Sequence, residues 1–236
     1  MSRVAIDPHG TTKAGFDLPA TTRAARDRAR RIHDALVERH PDARCELDYR
    51  TPLELLIATI LSAQATDVGV NKATPGLFKA FPRAEDYAAA SPEQIEPHIR
   101  TIGLFRSKAV SIHAACSRIV SEYGGDVPDR MEDLLTLRGV ARKTAGVVLG
   151  NAFGINMGVV VDTHVIRLSH RFGLSEAATP AAIERDLMAL FARPRWTMIS
   201  HLLIFHGRRV CKARGNTCGD DAVCRRFCSE AAETAG

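Results

Sequence analysis

Four cysteines near the C-terminus form the densest set of chemically reactive side chains in the sequence. Cys211, Cys218, Cys224 and Cys228 follow the pattern Cys-x6-Cys-x5-Cys-x3-Cys. The N-terminal sequence does not predict a secretory signal, so a thiol cluster favours metal binding over disulfides. Structural zinc usually binds paired Cys-x2-Cys knuckles, which this segment lacks. The wider, uneven spacing favours an iron–sulfur cluster, with zinc and free thiols or disulfides as the alternatives.

Basic side chains surround these cysteines, and the whole chain is basic. It has 236 residues, a formal net charge of +5 and a pI of about 9.0, which favours a polyanionic partner. Lys212 and Arg214 lie in the loop after Cys211 and could contact phosphates. The alternative is a solvated basic tail. The composition is that of a globular protein, which excludes a disordered or collagen-like chain.

A second candidate site is the stretch Leu137-Arg138-Gly139-Val140-Ala141-Arg142-Lys143-Thr144. We expect a short helix to end here, Gly139 to form the turn, and a second helix to begin at about residue 141. The free N–H groups and positive end of that helix would make a phosphate site, and Arg138, Arg142 and Lys143 add cations. The alternative is a helical hairpin with ordinary solvated charges.

The third candidate is Val161-Asp162-Thr163-His164. Taken alone, Asp162 is best interpreted as a helix N-cap and His164 as a structural histidine.

Helices must position all three sites. Start signals and apolar periodicity predict helices over about 22–39, 52–63, 67–80, 130–136, 141–152 and 195–207, with others beginning near Ser91, Gly103, Asp162 and Thr179. Thr51 and Thr179 precede prolines as N-caps, Ser91 and Gln94 form a capping box, and Asp129 caps 130–136. No alternating strand pair is evident. The predicted fold class is therefore all-α.

The uncharged stretch 144–161 has one feature of a membrane helix, because glycines recur in it at every fourth residue. Two asparagines interrupt it, and 18 residues is the short limit for a span. We therefore expect a buried helix followed by a turn, no membrane contact and a cytoplasmic protein. Residues 1–20 are polar and contain Gly and Pro, which predicts a loose extension.

The order of these segments resembles the endonuclease III family of base-excision DNA glycosylases. Further matching stretches are Leu61–Asp67, where Ile60 replaces the first Leu of the motif, Asn71–Thr74, Thr101–Leu104, Ser107–Ala109 and His206–Arg208 before Cys211. The resemblance covers about residues 30–230 and is specific because the motifs occur together.

The resemblance implies two all-helical domains that flank a DNA-binding cleft. Residues 45–155 would form a six-helix domain with the helix-hairpin-helix, and residues 21–44 with 156–236 a domain that binds a [4Fe-4S] cluster through the four cysteines. The partner would be double-stranded DNA with a damaged base, which is flipped into a pocket. The protein would act as a monomer, associated with the nucleoid when on DNA.

Residue roles follow from the same resemblance. Lys143 matches the nucleophile, whose neutral amine would attack the sugar carbon C1′; desolvation and the helix end would favour that neutral form. Asp162 matches the catalytic carboxylate, which would stabilise positive charge on the sugar as the base departs. Attack by Lys143 would give an imine, and β-elimination would then cut the strand, so the resemblance implies glycosylase and AP lyase activity on oxidised pyrimidines.

The resemblance also implies residues that contact the duplex. Gln64 and Leu104 would replace the flipped base; without the resemblance they are a helix-end Gln and a core Leu. Residues 138–142 and Thr144 would contact the backbone, and Asp67 and His164 would line the substrate pocket.

The sequence departs from the family pattern at two places. The hairpin usually reads Leu-Pro-Gly-Val-Gly, but Arg138 replaces Pro, and Ala141 replaces the second Gly. The added Cβ of Ala141 would hinder DNA contact if the position requires a positive φ. The usual cysteine spacing is Cys-x6-Cys-x2-Cys-x5-Cys, and Asp221 occupies the third family position here.

These departures leave other functions open. One is a weakly active paralogue or a glycosylase directed to mismatches or other bases. Another is a non-catalytic DNA-binding module on this scaffold, against which Lys143 and Asp162 argue. A third is an electron-transfer iron–sulfur protein, which the DNA-repair pattern disfavours.

Overall fold

The computed structural model describes residues 16–215 and 217–233, and the regular secondary structure within these ranges is entirely helical. This confirms the predicted all-α class. The chain divides into two compact units. We call residues 45–155 the middle unit, and residues 1–44 with 156–236 the terminal unit.

The middle unit contains seven helices, of which the shortest is a single turn. They are α2 (Pro52–Ser62), α3 (Asp67–Ala80), α4 (Ala84–Ala89), α5 (Pro92–Ile99), α6 (Phe105–Tyr123), α7 (Met131–Leu134) and α8 (Arg142–Ala152). Helix α2 packs against α3, α6 and α8, and α6 also packs against α4 and α5. Seven consecutive residues of α2, 55–61, are buried, because this helix is apolar on every side.

Local capping chemistry sets several of these helix starts. The Thr51 hydroxyl accepts from the Glu54 N–H at 3.2 Å, and the Gln94 side chain accepts from the Ser91 N–H at 2.8 Å. Both predicted caps are confirmed. The predicted cap at Asp129 is wrong: α7 starts one residue later, after Arg130, whose guanidinium instead pairs with Glu132 in the first turn.

The terminal unit is built from helices at both ends of the chain. They are α1 (Arg23–Arg39), α9 (Thr163–Arg171), α10 (Pro180–Leu190), a 3-10 turn (Arg193–Arg195), α11 (Trp196–Arg209), α12 (Ala222–Phe227) and α13 (Glu230–Glu233). Helix α1 packs against α10, α11 and α12, and α9 packs against α10 and α11. Their buried faces form one apolar core, which includes Ile32, Leu36, Phe172 and Trp196.

Two residues of the N-terminal extension pack against the terminal unit. Phe16 stacks edge-on against Trp196 with ring centroids 5.1 Å apart, and Leu18 also lies against the core of the terminal unit. The predicted loose extension therefore does not hold for these two residues. Residues 1–15 lie outside the described ranges.

The uncharged stretch 144–161 folds as predicted, with a helix followed by a turn. Helix α8 ends at Ala152, and Gly154 has a φ of +69°. None of the helices in the described ranges combines the length and apolar character that a bilayer crossing needs.

Candidate functional site

The N-terminus of α8 is arranged to receive an anion. Its N-cap is Ala141, which has no side-chain acceptor, and its first turn contains Arg142 and Lys143 but no acidic residue. Cations at the positive end of a helix are unfavourable, and the first-turn N–H groups lack intrahelical acceptors. A phosphate would satisfy the N–H groups and neutralise the cations. Helices α1, α2, α3, α9 and α10 differ, because each begins with a capping Thr or Asp side chain.

Gly139 forms the turn between α7 and α8, as predicted. Its φ is +83°, and a Cβ built there would lie 3.0 Å from the Ser111 Cβ and 3.6 Å from an Ile60 methyl. Only glycine accepts this backbone conformation without strain, and only glycine allows so close an approach to α6 and α2. The turn is thereby held against two helices of its own unit.

The predicted hairpin residues divide into exposed and buried side chains. Arg138, Arg142 and Lys143 are exposed, and Thr144 is half-buried. The Val140 side chain is buried, and its N–H bonds to the Leu137 carbonyl. The Val140 side chain therefore belongs to the core.

The replacement of Gly by Ala141 does not strain this backbone. Ala141 has φ −90° and ψ 171°, which is extended conformation that any L-residue adopts. Its Cβ therefore introduces no conformational conflict, contrary to the concern raised by the sequence. Arg138 places a further exposed cation beside the turn.

Gln64 and Leu104 are the two non-glycine residues with positive φ in the described ranges, at +54° and +60°. The left-handed region is costly for such side chains and persists only where surrounding structure enforces it. Both side chains are exposed, and Leu104 is 62% exposed. The interpretation of Leu104 as a core residue is therefore wrong.

Asp162 begins α9 in the terminal unit. Its Oδ1 accepts from the His164 N–H at 2.8 Å and from the Val165 N–H at 2.9 Å, which confirms the predicted N-cap. Both bonds end on the same oxygen, so the carboxylate orientation is fixed while Oδ2 stays outside the cap. The side chain is thus a rigidly held, half-buried anion.

His164 and Asp67 lie in different units. The His164 Nδ1 accepts from Arg167 at 3.1 Å, and burial lowers the pKa of His164. Arg167 also binds the carbonyls of Gly207 and Cys211, so it ties His164 to the segment with the first cysteine. Asp67 is the first residue of α3, directly after the Thr66 cap.

The four cysteines of the terminal unit converge on one point. All four are buried, and their Sγ atoms lie within 4.8 Å of one another, with Cys211 and Cys228 separated by 3.9 Å. The donor set is purely thiolate, as zinc and iron–sulfur centres use. Arg171 donates to the Cys211 Sγ at 3.2 Å and adds positive charge beside the thiolates.

A buried histidine pair extends from the cysteines. His206 Nε2 lies 3.1 Å from the Cys224 Sγ, and His206 Nδ1 lies 2.9 Å from His40 Nε2. A Cys224 thiolate that binds a metal would only accept hydrogen bonds, and His206 would then donate through Nε2 and accept at Nδ1 from His40. Burial lowers the pKa of His40 to about 4, which keeps that ring neutral at pH 7.

Asp221 explains how the altered cysteine spacing is accommodated. Its Oδ1 accepts from the N–H groups of Val223 and Cys224, so it caps α12, and its Oδ2 accepts from Arg39 Nε at 2.8 Å. The residue in the third family position has thus become a helix cap. The first turn of α12 then brings Cys224 to the other thiols. Lys212 and Arg214 are exposed in the loop before it.

Comparison with known proteins supplies the assignment of this architecture. Residues 57–193 match the HhH-GPD superfamily of base excision DNA repair proteins. Endonuclease III of Synechocystis sp. is 54% identical over 83% of this chain and 89% of its own length. Endonuclease III of Bacillus subtilis is 41% identical over 79% of this chain and 85% of its own. The chain belongs to the HhH-GPD family.

A solved structure of a trapped endonuclease III–DNA covalent intermediate, in an estranged-adenine complex, superposes on this chain with a TM-score of 0.83 and 38% identity. That superposition covers 92% of this chain and 100% of the other.

The similarity to endonuclease III, together with the four convergent cysteines, resolves the metal alternatives. The cofactor is a [4Fe-4S] cluster, and the four buried cysteines supply the complete thiolate set that such a cluster needs. When bound, it supplies iron–sulfur bonds that join the end of α11 to α12 and the segment after it.

The sequence motifs assign no role to Lys108, although it lies in the matching stretch Ser107–Ala109. The signal was an isolated Lys in the apolar pattern of α6, where it is 5% exposed.

Proposed function

We propose that this protein removes oxidised pyrimidines from double-stranded DNA and then cleaves the abasic strand by β-elimination. The DNA glycosylase and AP lyase role follows from the HhH-GPD family and from the similarity to endonuclease III. DNA is the partner, in line with the DNA-bound relatives. The substrate class, the monomeric state and action in the cytoplasm on nucleoid DNA are our inferences.

The α8 N-terminus is the observation that carries this proposal. It combines a helix end without a side-chain cap, two first-turn cations and the exposed Lys143. A duplex phosphate bound there would bring the sugar towards the Lys143 amine. Lys143 is exposed in the protein alone, so the exclusion of water around its amine depends on bound DNA.

Lys143 acts as the nucleophile. Its neutral amine attacks C1′, the glycosidic bond breaks, and the base leaves with that electron pair and takes up a proton. The sugar ring opens to an imine between Lys143 and C1′. Loss of a C2′ proton then expels the 3′ phosphate, and water hydrolyses the imine to regenerate Lys143.

Asp162 acts as the carboxylate that stabilises positive charge on the sugar and assists proton transfer. Two backbone N–H groups hold Oδ1, which fixes the carboxylate before substrate arrives. Oδ2 takes no part in this cap, and we assign to it the interaction with the sugar charge.

Gln64 and Leu104 enter the duplex at the flipped nucleotide. Leu104 supplies an exposed apolar wedge, and the Gln64 amide can bond to the estranged partner base. Their strained backbone is consistent with conformations kept for binding rather than for stability.

Strand cleavage tests this function. The substrate is an end-labelled duplex with one thymine glycol, and the variants are Lys143→Ala, Asp162→Asn and the matched control Lys79→Ala on α3. Asn is a good N-cap, so Asp162→Asn keeps the start of α9 while it removes the charge.

We expect wild type and Lys79→Ala to cut the lesion strand. Lys143→Ala should abolish cutting, and Asp162→Asn should slow it by about 100-fold or more. Cutting by Lys143→Ala at the wild-type rate would refute the assignment of Lys143 as the nucleophile. Salt-sensitive binding without cleavage of any lesion or abasic duplex by wild type would instead support the binding module.

A further inference from the structure

Lys108 is a buried lysine whose amine reaches a backbone carbonyl. It lies on α6 with 5% of its surface exposed, and its Nζ donates to the Leu61 carbonyl at 2.8 Å. The ion pairs of the described ranges do not include it. Burial lowers the pKa of Lys108. A buried amine without a carboxylate partner is costly, so its presence here calls for a positional reason.

The hydrogen bond between Lys108 and Leu61 joins the segments that lead to Gln64 and Leu104, the two residues with strained backbone. Leu61 lies in the last turn of α2, which has no basic residue of its own there, and the chain then runs to Gln64. The backbone N–H of Lys108 donates to the Leu104 carbonyl at 3.0 Å. One residue thus bonds to Leu104 through its backbone and to the end of α2 through its side chain.

The hairpin rests on the same pair of helices. Gly139 lies against Ser111, one turn after Lys108 on α6, and against Ile60, the neighbour of Leu61 on α2. The Lys108 bond therefore joins α6 to α2 at the place where both helices also contact the turn at Gly139. A change in the spacing of α2 and α6 would alter both strained segments and this turn.

We propose that Lys108 is a positioning residue that sets the distance between Gln64 and Leu104, so that both enter the duplex at the same base pair. This inference rests on the proposed function. Positive φ at both residues is maintained only by restraint from neighbours. The hydrogen bond from Lys108 to the Leu61 carbonyl provides that restraint between two segments that lie more than forty residues apart in the sequence.

Hydrogen exchange tests the restraint without reference to activity. Lys108→Met removes the donor and keeps the length and apolar body of the side chain. Lys79→Met is the matched control, because Lys79 is an exposed lysine in the last turn of α3. We expect amides of 62–66 and 102–105 to exchange about tenfold faster in Lys108→Met only. Unchanged exchange in both segments would overturn the proposal.

A double-mutant cycle with Leu104→Ala tests the functional part. Lys108→Met should slow excision from a lesion duplex by about tenfold and leave cleavage of a single-stranded abasic oligonucleotide within about twofold. In the Leu104→Ala background it should cause no further loss, because it acts through Leu104.

Additive losses, or an equal loss on the single strand, would show a merely structural role and overturn the proposal. An inactive wild type would refute the proposed function, while the exchange experiment would still decide the restraint. If Lys108→Met does not fold, Lys108→Gln replaces it, because its shorter side chain keeps a polar donor but cannot span the same distance.

Discussion

The substitution Ala141→Asp should make the protein more stable and a worse DNA binder. Ala141 already has the extended backbone of an N-cap, so an Asp side chain there can accept from the N–H groups of Lys143 or Thr144. The same N–H groups are those that we assign to a duplex phosphate. Capping them from within would satisfy the helix end and occupy the binding site at once.

The structure gives the size of both effects. Replacing Ala by a capping residue contributes about 1 kcal/mol, and a carboxylate at the positive helix end beside Arg142 and Lys143 adds about 0.3–1 kcal/mol. The free energy of unfolding should therefore rise by about 1–2 kcal/mol, or roughly 3–6 °C in Tm. Loss of one phosphate contact should reduce the slope of log K against log salt by about 1 and weaken DNA binding about tenfold.

Thermal unfolding and DNA titration at several salt concentrations measure the two effects. Ala141→Ser adds a capping side chain without a charge, so it should change both the thermal stability and the DNA affinity less than Ala141→Asp does. Thr179→Ala is the converse control: it removes the cap of α10, where Thr179 accepts from Ala182 at 3.3 Å, and should cost about 1 kcal/mol without altering DNA binding. A more stable Ala141→Asp protein with unchanged affinity and salt slope would refute the phosphate site.

Three further perturbations have expected outcomes. Gly139→Ala should lower the free energy of unfolding by about 1–3 kcal/mol in chemical denaturation, because its φ is +83° and the new Cβ would lie 3.0 Å from Ser111. Gly76→Ala, a helical position with open space, should not destabilise the protein. Asp221→Ala should cost about 2 kcal/mol and speed the loss of cluster absorbance, whereas Asn there should retain most of the cap. Burial lowers the pKa of His201 to about 4, so the unfolded chain binds more protons between about pH 4 and 6.5. Stability should fall as the pH drops through that window, and His201→Gln should flatten the fall in denaturant titrations at each pH.

Helix starts could be predicted where the chemistry is local. Thr51, Thr179 and Asp162 cap the helices that the sequence assigned to them, because each bond joins residues two or three positions apart. Helices α4 and α12 were missed, since six residues are too few to show an apolar period.

Conformations imposed by tertiary structure could not be predicted from residue type. Leucine rarely adopts positive φ, so nothing local in the sequence marks Leu104 as an exposed, left-handed residue. The extended backbone of Ala141 was equally hidden, because φ depends on how the hairpin packs. Motif order predicts Lys143 and Asp162 as catalytic residues, but the Lys108 bond behind Gln64 and Leu104 is evident only in the folded structure.

Covalent trapping tests the central claim most directly. Wild type and Lys143→Ala are each incubated with a thymine glycol duplex and with an abasic duplex in the presence of sodium borohydride, which reduces an imine to a stable adduct. We expect a protein–DNA adduct with wild type on both duplexes and none with Lys143→Ala. An adduct that persists in Lys143→Ala, or its absence with wild type on the abasic duplex, would contradict the assignment of Lys143 as the nucleophile.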